Sequence, residues 1–397
     1  MGVKRICVKQ ICSLVAAALA FTCSALACEI NADHIIWTKS ISGVADRYCG
    51  WPSVCAVGGG EIAVVFSGDR SSHVCPWGKV RMVHSKDGGE TWSASVTLCN
   101  GVLDDRDAGL LRLVNGDLAL FWFTSAHYYE NDYFKKHNPD YIRHFEKLDR
   151  GTVYRDLGSF SRRSTDGGRT WEPPVRLPTT APHGGIQLAD GRLIVVGNQY
   201  AGVRGHLVDD PEEKAFAGTR AELVVAESVD LGRSWRKCSA IPQTAGACEP
   251  HLVAGVDGVL RCYARTSRNL LVSESRDGGK SWSPLVATKI PSWDNPPHLL
   301  RLRDERVLLT YGRRVCDAKQ KVAGWKTGIY ARIGDTNATA ESFEASAEIS
   351  LYCNVNNDIG YASTVECADG SLLTVFYAHE KTPTSIMATK WRRVASR

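Results

Sequence analysis

Four segments of one pattern recur along this chain and constrain its fold more than any other feature. They are Ser85-Lys86-Asp87-Gly88-Gly89-Glu90-Thr91-Trp92, Ser164 to Trp171, Ser228 to Trp235, and Ser275 to Trp282. Each follows an apolar or alternating run that reads as a strand, such as Val80 to Ser85. The pattern has the chemistry of a hairpin turn. Aspartate accepts hydrogen bonds from its own turn, glycine supplies positive φ, and tryptophan packs under a neighbouring strand. Self-similarity of this kind marks a repeat architecture.

A second repeat counts the units. Six hairpins read as apolar run, turn, apolar run, around Gly60, Gly116, Gly191, Gly258, Glu305 and Gly370. Their spacings of 47 to 75 residues suit a four-stranded blade with its loops. The expected fold is all-β, a six-bladed β-propeller. A fifth, degenerate copy of the turn is expected near Gly334-Asp335. The early strand at His34 to Ser40 is expected to join the last blade and remove the open edge. Two stretches interrupt the pattern: His127 to Arg150, read as a partly helical insertion, and the polar loop Arg204 to Ala221.

The first residues read differently. Lys4, Arg5 and Lys9 precede an apolar run from Ile11 to Leu26 and the small-x-small triplet Ala25-Leu26-Ala27. This is the pattern of a secretory signal peptide over 1–27, followed by one propeller domain over 28–397. The expected location is outside the cytoplasm, secreted or periplasmic. Cleavage after Ala27 would leave Cys28 first, as in a lipoprotein, although Ala25 stands where a lipobox carries leucine. The formal net charge of +5 falls to about +2 without the leader, which is no footprint for nucleic acid. No later segment is apolar and long enough to span a membrane. The 14 cysteines are scattered with no C-x-x-C pair, which argues against a zinc site.

In a propeller the innermost strands begin at one mouth of the central channel. Residues just before each hairpin should therefore converge: Gly50-Trp51-Pro52, Asp107-Ala108-Gly109, Pro182-His183-Gly184, Glu249-Pro250-His251, Pro297-His298-Leu299 and Gly360-Tyr361-Ala362. The returning strands add Asp69-Arg70, Arg265 and Arg313-Arg314 to the same mouth, with His73 close by. Arginines from three blades can clamp a carboxylate by bidentate hydrogen bonds. A glutamate beside a tyrosine can take its proton and make it a nucleophile. An aspartate with a raised pKa can protonate a leaving oxygen.

The turn motif resembles the Asp-box, and the chain as a whole resembles the sialidase (neuraminidase) superfamily. That resemblance implies a three-arginine carboxylate clamp, a Tyr/Glu nucleophile pair, an aspartic acid as proton donor and no cofactor or metal; the tyrosine nucleophile sets the family apart from most glycosidases. Glu249, Arg265, one of Arg313 and Arg314, and Tyr361 occur in the family's order, with Tyr361 in a Gly-Tyr-Ala-Ser-Thr-Val strand. Asp69 fits the acid by its place in the first blade and Asp107 by its place at the mouth. The first clamp arginine is missing, because Gly50-Trp51-Pro52 stands where sialidases carry Arg-Ile-Pro; Arg47 and Arg70 are the nearest cations. His73 and His183 are additions that a sialidase does not need.

The expected activity is that of an exo-acting sialidase-type glycoside hydrolase whose partner is a glycan with a terminal acidic sugar. Two alternatives stay open. One is a propeller enzyme acting on uronic-acid glycans by a histidine-based mechanism, and the other is a non-catalytic glycan-binding propeller. Oligomeric state and cysteine pairing are not legible.

Overall fold

The computed structural model describes residues 34–43, 46–198, 223–242, 246–315, 326–380 and 383–393. The leader, Cys28 and the loop Arg204 to Ala221 lie outside the described residues. Six four-stranded antiparallel sheets follow one another. Their innermost strands are Tyr48–Gly58, Asp104–Arg112, Ile186–Gln187, Cys248–Ala254, His298–Arg301 and Ile359–Glu366, which we call blades 1 to 6 in that order. The ring closes as expected: Ile35–Ser40 pairs antiparallel with Ser385–Trp391, so the first strand completes the last blade. No outer edge of blade 6 depends on a strand the chain lacks.

The turn motif acts locally. The Ser85 side chain donates to Asp87 and accepts from Gly89 N, while Asp87 accepts from Thr91 N at 2.8 Å. Asp166, Asp230 and Asp277 repeat the contact to the residue four positions on. The fifth copy is present too: Asp335 accepts from Thr339 N and Thr339 Oγ1. Trp92, Trp171 and Trp282 each donate to the carbonyl of the motif's second glycine position. Trp235 instead reaches Ser161 of the preceding blade at 2.7 Å. These contacts are made by exposed turns far from the mouth and serve the fold.

Aliphatic and aromatic side chains fill the gaps between successive sheets. Phe66 and Val64 of blade 1 meet Val375 and Tyr377 of blade 6, for example, all fully buried. The insertion after the second hairpin is helical, as expected: His127–Glu130, Asp132–His137, Pro139–Glu146 and Arg150–Asp156. It carries its own small core of Tyr128, Tyr141, Phe145 and Val153. Among the described residues no helix is long and apolar enough to cross a membrane.

Candidate active site

One local device builds the mouth. In blades 1, 2, 4 and 6 the innermost strand carries a bulge in which two residues oppose one on its neighbour, between Gly50 and Ser53, Arg106 and Gly109, Cys248 and His251, and Gly360 and Ser363. The first bulge residue is Trp51, Asp107, Glu249 and Tyr361, with φ of 55°, 49°, 47° and 56°. Left-handed backbone at a non-glycine residue costs roughly 1–3 kcal/mol and clusters where geometry serves function. A bulge re-aims a side chain. All four of these side chains line one cavity of about 380 Å³, with His73, Arg106, Phe123, Ser125, His127, Arg265 and Arg314.

The centre of the cavity is a three-residue contact. The Tyr361 hydroxyl donates to Glu249 Oε1 at 2.7 Å. Arg265 Nη1 reaches Glu249 Oε2 at 2.6 Å and the Tyr361 oxygen at 3.2 Å. Burial, and then the Glu249 carboxylate, hold the Tyr361 phenol well above its ordinary pKa, with Arg265 working against them. The tyrosine is therefore held as a protonated phenol whose hydroxyl is bonded to the Glu249 carboxylate.

Tyr361 is held from behind by Asn295, whose Oδ1 accepts from Tyr361 N at 3.3 Å. This approach requires Gly360, where a Cβ would lie 1.7 Å from Asn295 Oδ1. Sequence reasoning missed Asn295, because nothing in its own segment marks it.

Arg314 stands at the same cavity. It donates to Tyr377 OH at 2.6 Å and to the carbonyls of Ile359 and Asp294. Arg313, its neighbour in sequence, does not share the mouth. It bonds Glu348 and lies over the Tyr330 ring, 4.0 Å from its centroid. The strand Val307–Arg313 ends between them, and the two side chains part.

The first blade departs furthest from expectation. Arg70 is fully buried and forms a bidentate pair with Asp104, at 2.6 and 2.8 Å. It does not line the cavity; its guanidinium packs 4.9 Å from the Trp51 ring. Asp69 also lies outside the cavity wall, held by Lys79 at 2.5 Å and Arg47 at 3.6 Å. Burial opposes its ionisation, but these two cations prevail and keep its carboxyl below the usual range. Arg47 thus serves Asp69.

Asp107 does line the cavity. It is almost fully buried, and burial pushes its carboxyl up to about 7, with Arg106 opposing and Glu249 reinforcing the shift. Beside it Arg106, another residue missed from sequence, has its guanidinium 4.3 Å from the Trp51 ring and its Nε 3.8 Å from Asp107. The only signal for it was its place next to Asp107 in the innermost strand.

The two histidines part company. His73 lines the cavity, bonded through Nδ1 to Tyr48 OH at 3.0 Å. His183 is sunk below it, bonded to Ser53 at 3.1 Å and lying near the rings of His251 and His298. Burial above all keeps these three imidazoles neutral. Among the described residues no group of three or more His, Cys, Asp or Glu side chains is arranged to hold a metal ion.

Comparison with known proteins agrees with this architecture. The family of BNR repeat-like domains matches residues 144–380. No curated protein sequence matches significantly. Solved structures do. A protein of unknown function from Dyadobacter fermentans is 21% identical with a TM-score of 0.70, over 91% of this chain and 99% of that one. The Hadza microbial sialidase Hz136 is 14% identical with a TM-score of 0.61, over 89% and 68%. The intramolecular trans-sialidase from Ruminococcus gnavus is 15% identical with a TM-score of 0.58, over 89% and 96%. At such identities the likeness is one of fold.

Proposed function

The chain belongs to the family of BNR repeat-like domains, and from that premise and the chemistry of its cavity we propose that it is an exo-acting glycoside hydrolase of sialidase type, releasing a terminal acidic sugar, sialic acid, from glycans. The observation that carries this reading is the Tyr361 hydroxyl, bonded at once to Glu249 and to Arg265.

A phenol with a raised pKa is a poor nucleophile alone. Glu249 Oε1 is placed to take its proton as the oxygen attacks the anomeric carbon. A neutral tyrosine also suits an anionic sugar better than a carboxylate nucleophile, which the substrate's own charge would repel. Arg265 and Arg314 supply the cationic side of the cavity and hold the substrate carboxylate. Asp107, whose carboxyl burial pushes up to about 7, is a hydroxyl donor to the sugar in its protonated form.

A uronic acid is a second reading, favoured by one observation. Trp51 occupies the blade 1 bulge, next to Gly50, where the sialidase resemblance implies an arginine. An aromatic wall there suits the C–H face of a pyranose.

The test is a release assay on sialosides and uronosides, with Tyr361→Phe as control. Release of free acidic sugar by the wild type and none by the variant supports the reading. Unchanged turnover in the variant, or binding without release by the wild type, sinks it.

A further inference from the structure

We propose that His73 is the catalytic acid and base on the leaving-group side of this cavity, the part that an aspartate was expected to play; the inference rests on the glycosidase reading above. Asp69 is pinned by Lys79 and Arg47 outside the cavity wall. Asp107 is inside, but its carboxyl is enclosed: its side chain is 4% exposed, with Arg106 Nε at 3.8 Å. A carboxyl so enclosed is less open to a leaving oxygen than the His73 side chain, which is half exposed.

His73 stands elsewhere on the wall. Trp51 separates it from the nucleophile, with its ring 4.8 Å from His73 and 6.3 Å from Tyr361, both edge-on. Its side chain is half exposed to solvent, at 51%, and forms part of the cavity lining. Its orientation is fixed from behind. The Tyr48 hydroxyl donates to Asp358 Oδ1 at 2.8 Å, so its one proton is spent there. His73 Nδ1, 3.0 Å from the Tyr48 oxygen, must then be the donor in that contact. Asp358 Oδ1 lies 3.7 Å from the same nitrogen and stabilises the imidazolium. Nε2 is left as the nitrogen that exchanges protons with substrate. The Trp51 edge and the Arg70 contact to the His73 carbonyl at 3.0 Å hold the ring and its loop. This arrangement of carboxylate, connector and imidazole orients a histidine acid in the manner of a triad.

Tyr361 Oη forms the new bond to the anomeric carbon, and its proton passes to Glu249. The bond to the leaving oxygen breaks, its electron pair stays with that oxygen, and the proton on His73 Nε2 neutralises it. In the second half a water molecule attacks the anomeric carbon and gives its proton to Nε2. The bond to Tyr361 breaks and the phenolate recovers the proton from Glu249. The groups that face His73 set its titration: loss of solvent lowers its pKa most, Asp358 raises it, and Arg106 and Arg314 lower it. The acid form is thus populated on the acidic side of the ordinary histidine range.

The experiment compares 4-nitrophenyl and methyl glycosides of sialic acid and of glucuronic acid, with full-length wild type, His73→Gln, Asp107→Asn and Tyr48→Phe. A nitrophenolate leaves without a proton, whereas methanol does not. His73→Gln should lose about 100-fold or more in kcat/KM on the methyl glycoside and less than about tenfold on the nitrophenyl glycoside. The wild-type rate on the methyl glycoside should rise as pH falls through the His73 titration, and Tyr48→Phe should move that limb. Equal losses by His73→Gln on both glycosides, or a leaving-group dependence in Asp107→Asn instead, would overturn the assignment while leaving the glycosidase reading intact. A wild type inert on all four substrates would overturn both.

Discussion

The Tyr361 hydroxyl and Glu249 Oε1 meet at 2.7 Å although 112 residues separate them in sequence. They come from blades 6 and 4, and each sits on a strained bulge residue of an innermost strand. The contact exists because the ring places those two strands on one mouth.

Removing the base from this pair should affect chemistry and stability together. Glu249→Gln is expected to lower kcat by about 10²–10⁴-fold. It also leaves Arg265 without its carboxylate, at a site only about one-fifth exposed. We expect a stability loss of about 1–3 kcal/mol, less than for a fully buried pair. Steady-state kinetics and urea unfolding of the same preparation measure the two effects.

Asn295 gives a second test. Asn295→Ala removes the acceptor for Tyr361 N and the side chain that fills the space above Gly360. The left-handed conformation at Tyr361 then loses its support. We expect kcat to fall by about tenfold or more with KM little changed, since a small misplacement of a reacting group costs heavily. Unaltered kcat would show that Tyr361 is positioned by other contacts.

Two carboxylates, Asp69 of blade 1 and Asp104 of blade 2, hold cations of blade 1 in very different surroundings. Asp104→Ala strands the fully buried Arg70 guanidinium and should cost about 3–5 kcal/mol. Asp69→Asn disturbs only partly exposed pairs and should cost less than about 1 kcal/mol. It should also leave kcat unchanged. A large loss of kcat in Asp69→Asn would return that residue to the role of proton donor.

The neutral histidines below the cavity predict acid sensitivity. Burial lowers the His251 pKa to about 4, against about 6.5 in the unfolded chain. The unfolded state therefore binds more protons below pH 6.5. The stability that follows from a neutral His251 is complete above that pH and is lost as pH falls toward 4, by about 3 kcal/mol in all. Denaturation midpoints measured from pH 7 to pH 4 should fall accordingly, and His251→Gln should flatten the slope.

Some of this was open to reading in one dimension. The turn motifs, the six hairpins, the ring closure at Ile35–Ser40 and even the degenerate fifth turn are written in short stretches. A turn is stabilised by its own eight residues, and a strand by its own alternation. The same holds for the nearness of Tyr361, Glu249 and Arg265, which follows once each is placed at the start or end of an innermost hairpin.

Orientation was decided elsewhere. Arg313 and Arg314 are adjacent, yet one is packed on Tyr330 and the other faces the cavity. Arg70 looked like a clamp residue and became the buried partner of Asp104, from the next blade. Arg106 entered the site beside a bulge that composition does not announce. Alternation along a strand says that neighbours face opposite ways, but which one faces inward depends on where a bulge resets the phase and on what the adjoining blade offers. Those are long-range packing terms, and only the closed ring supplies them.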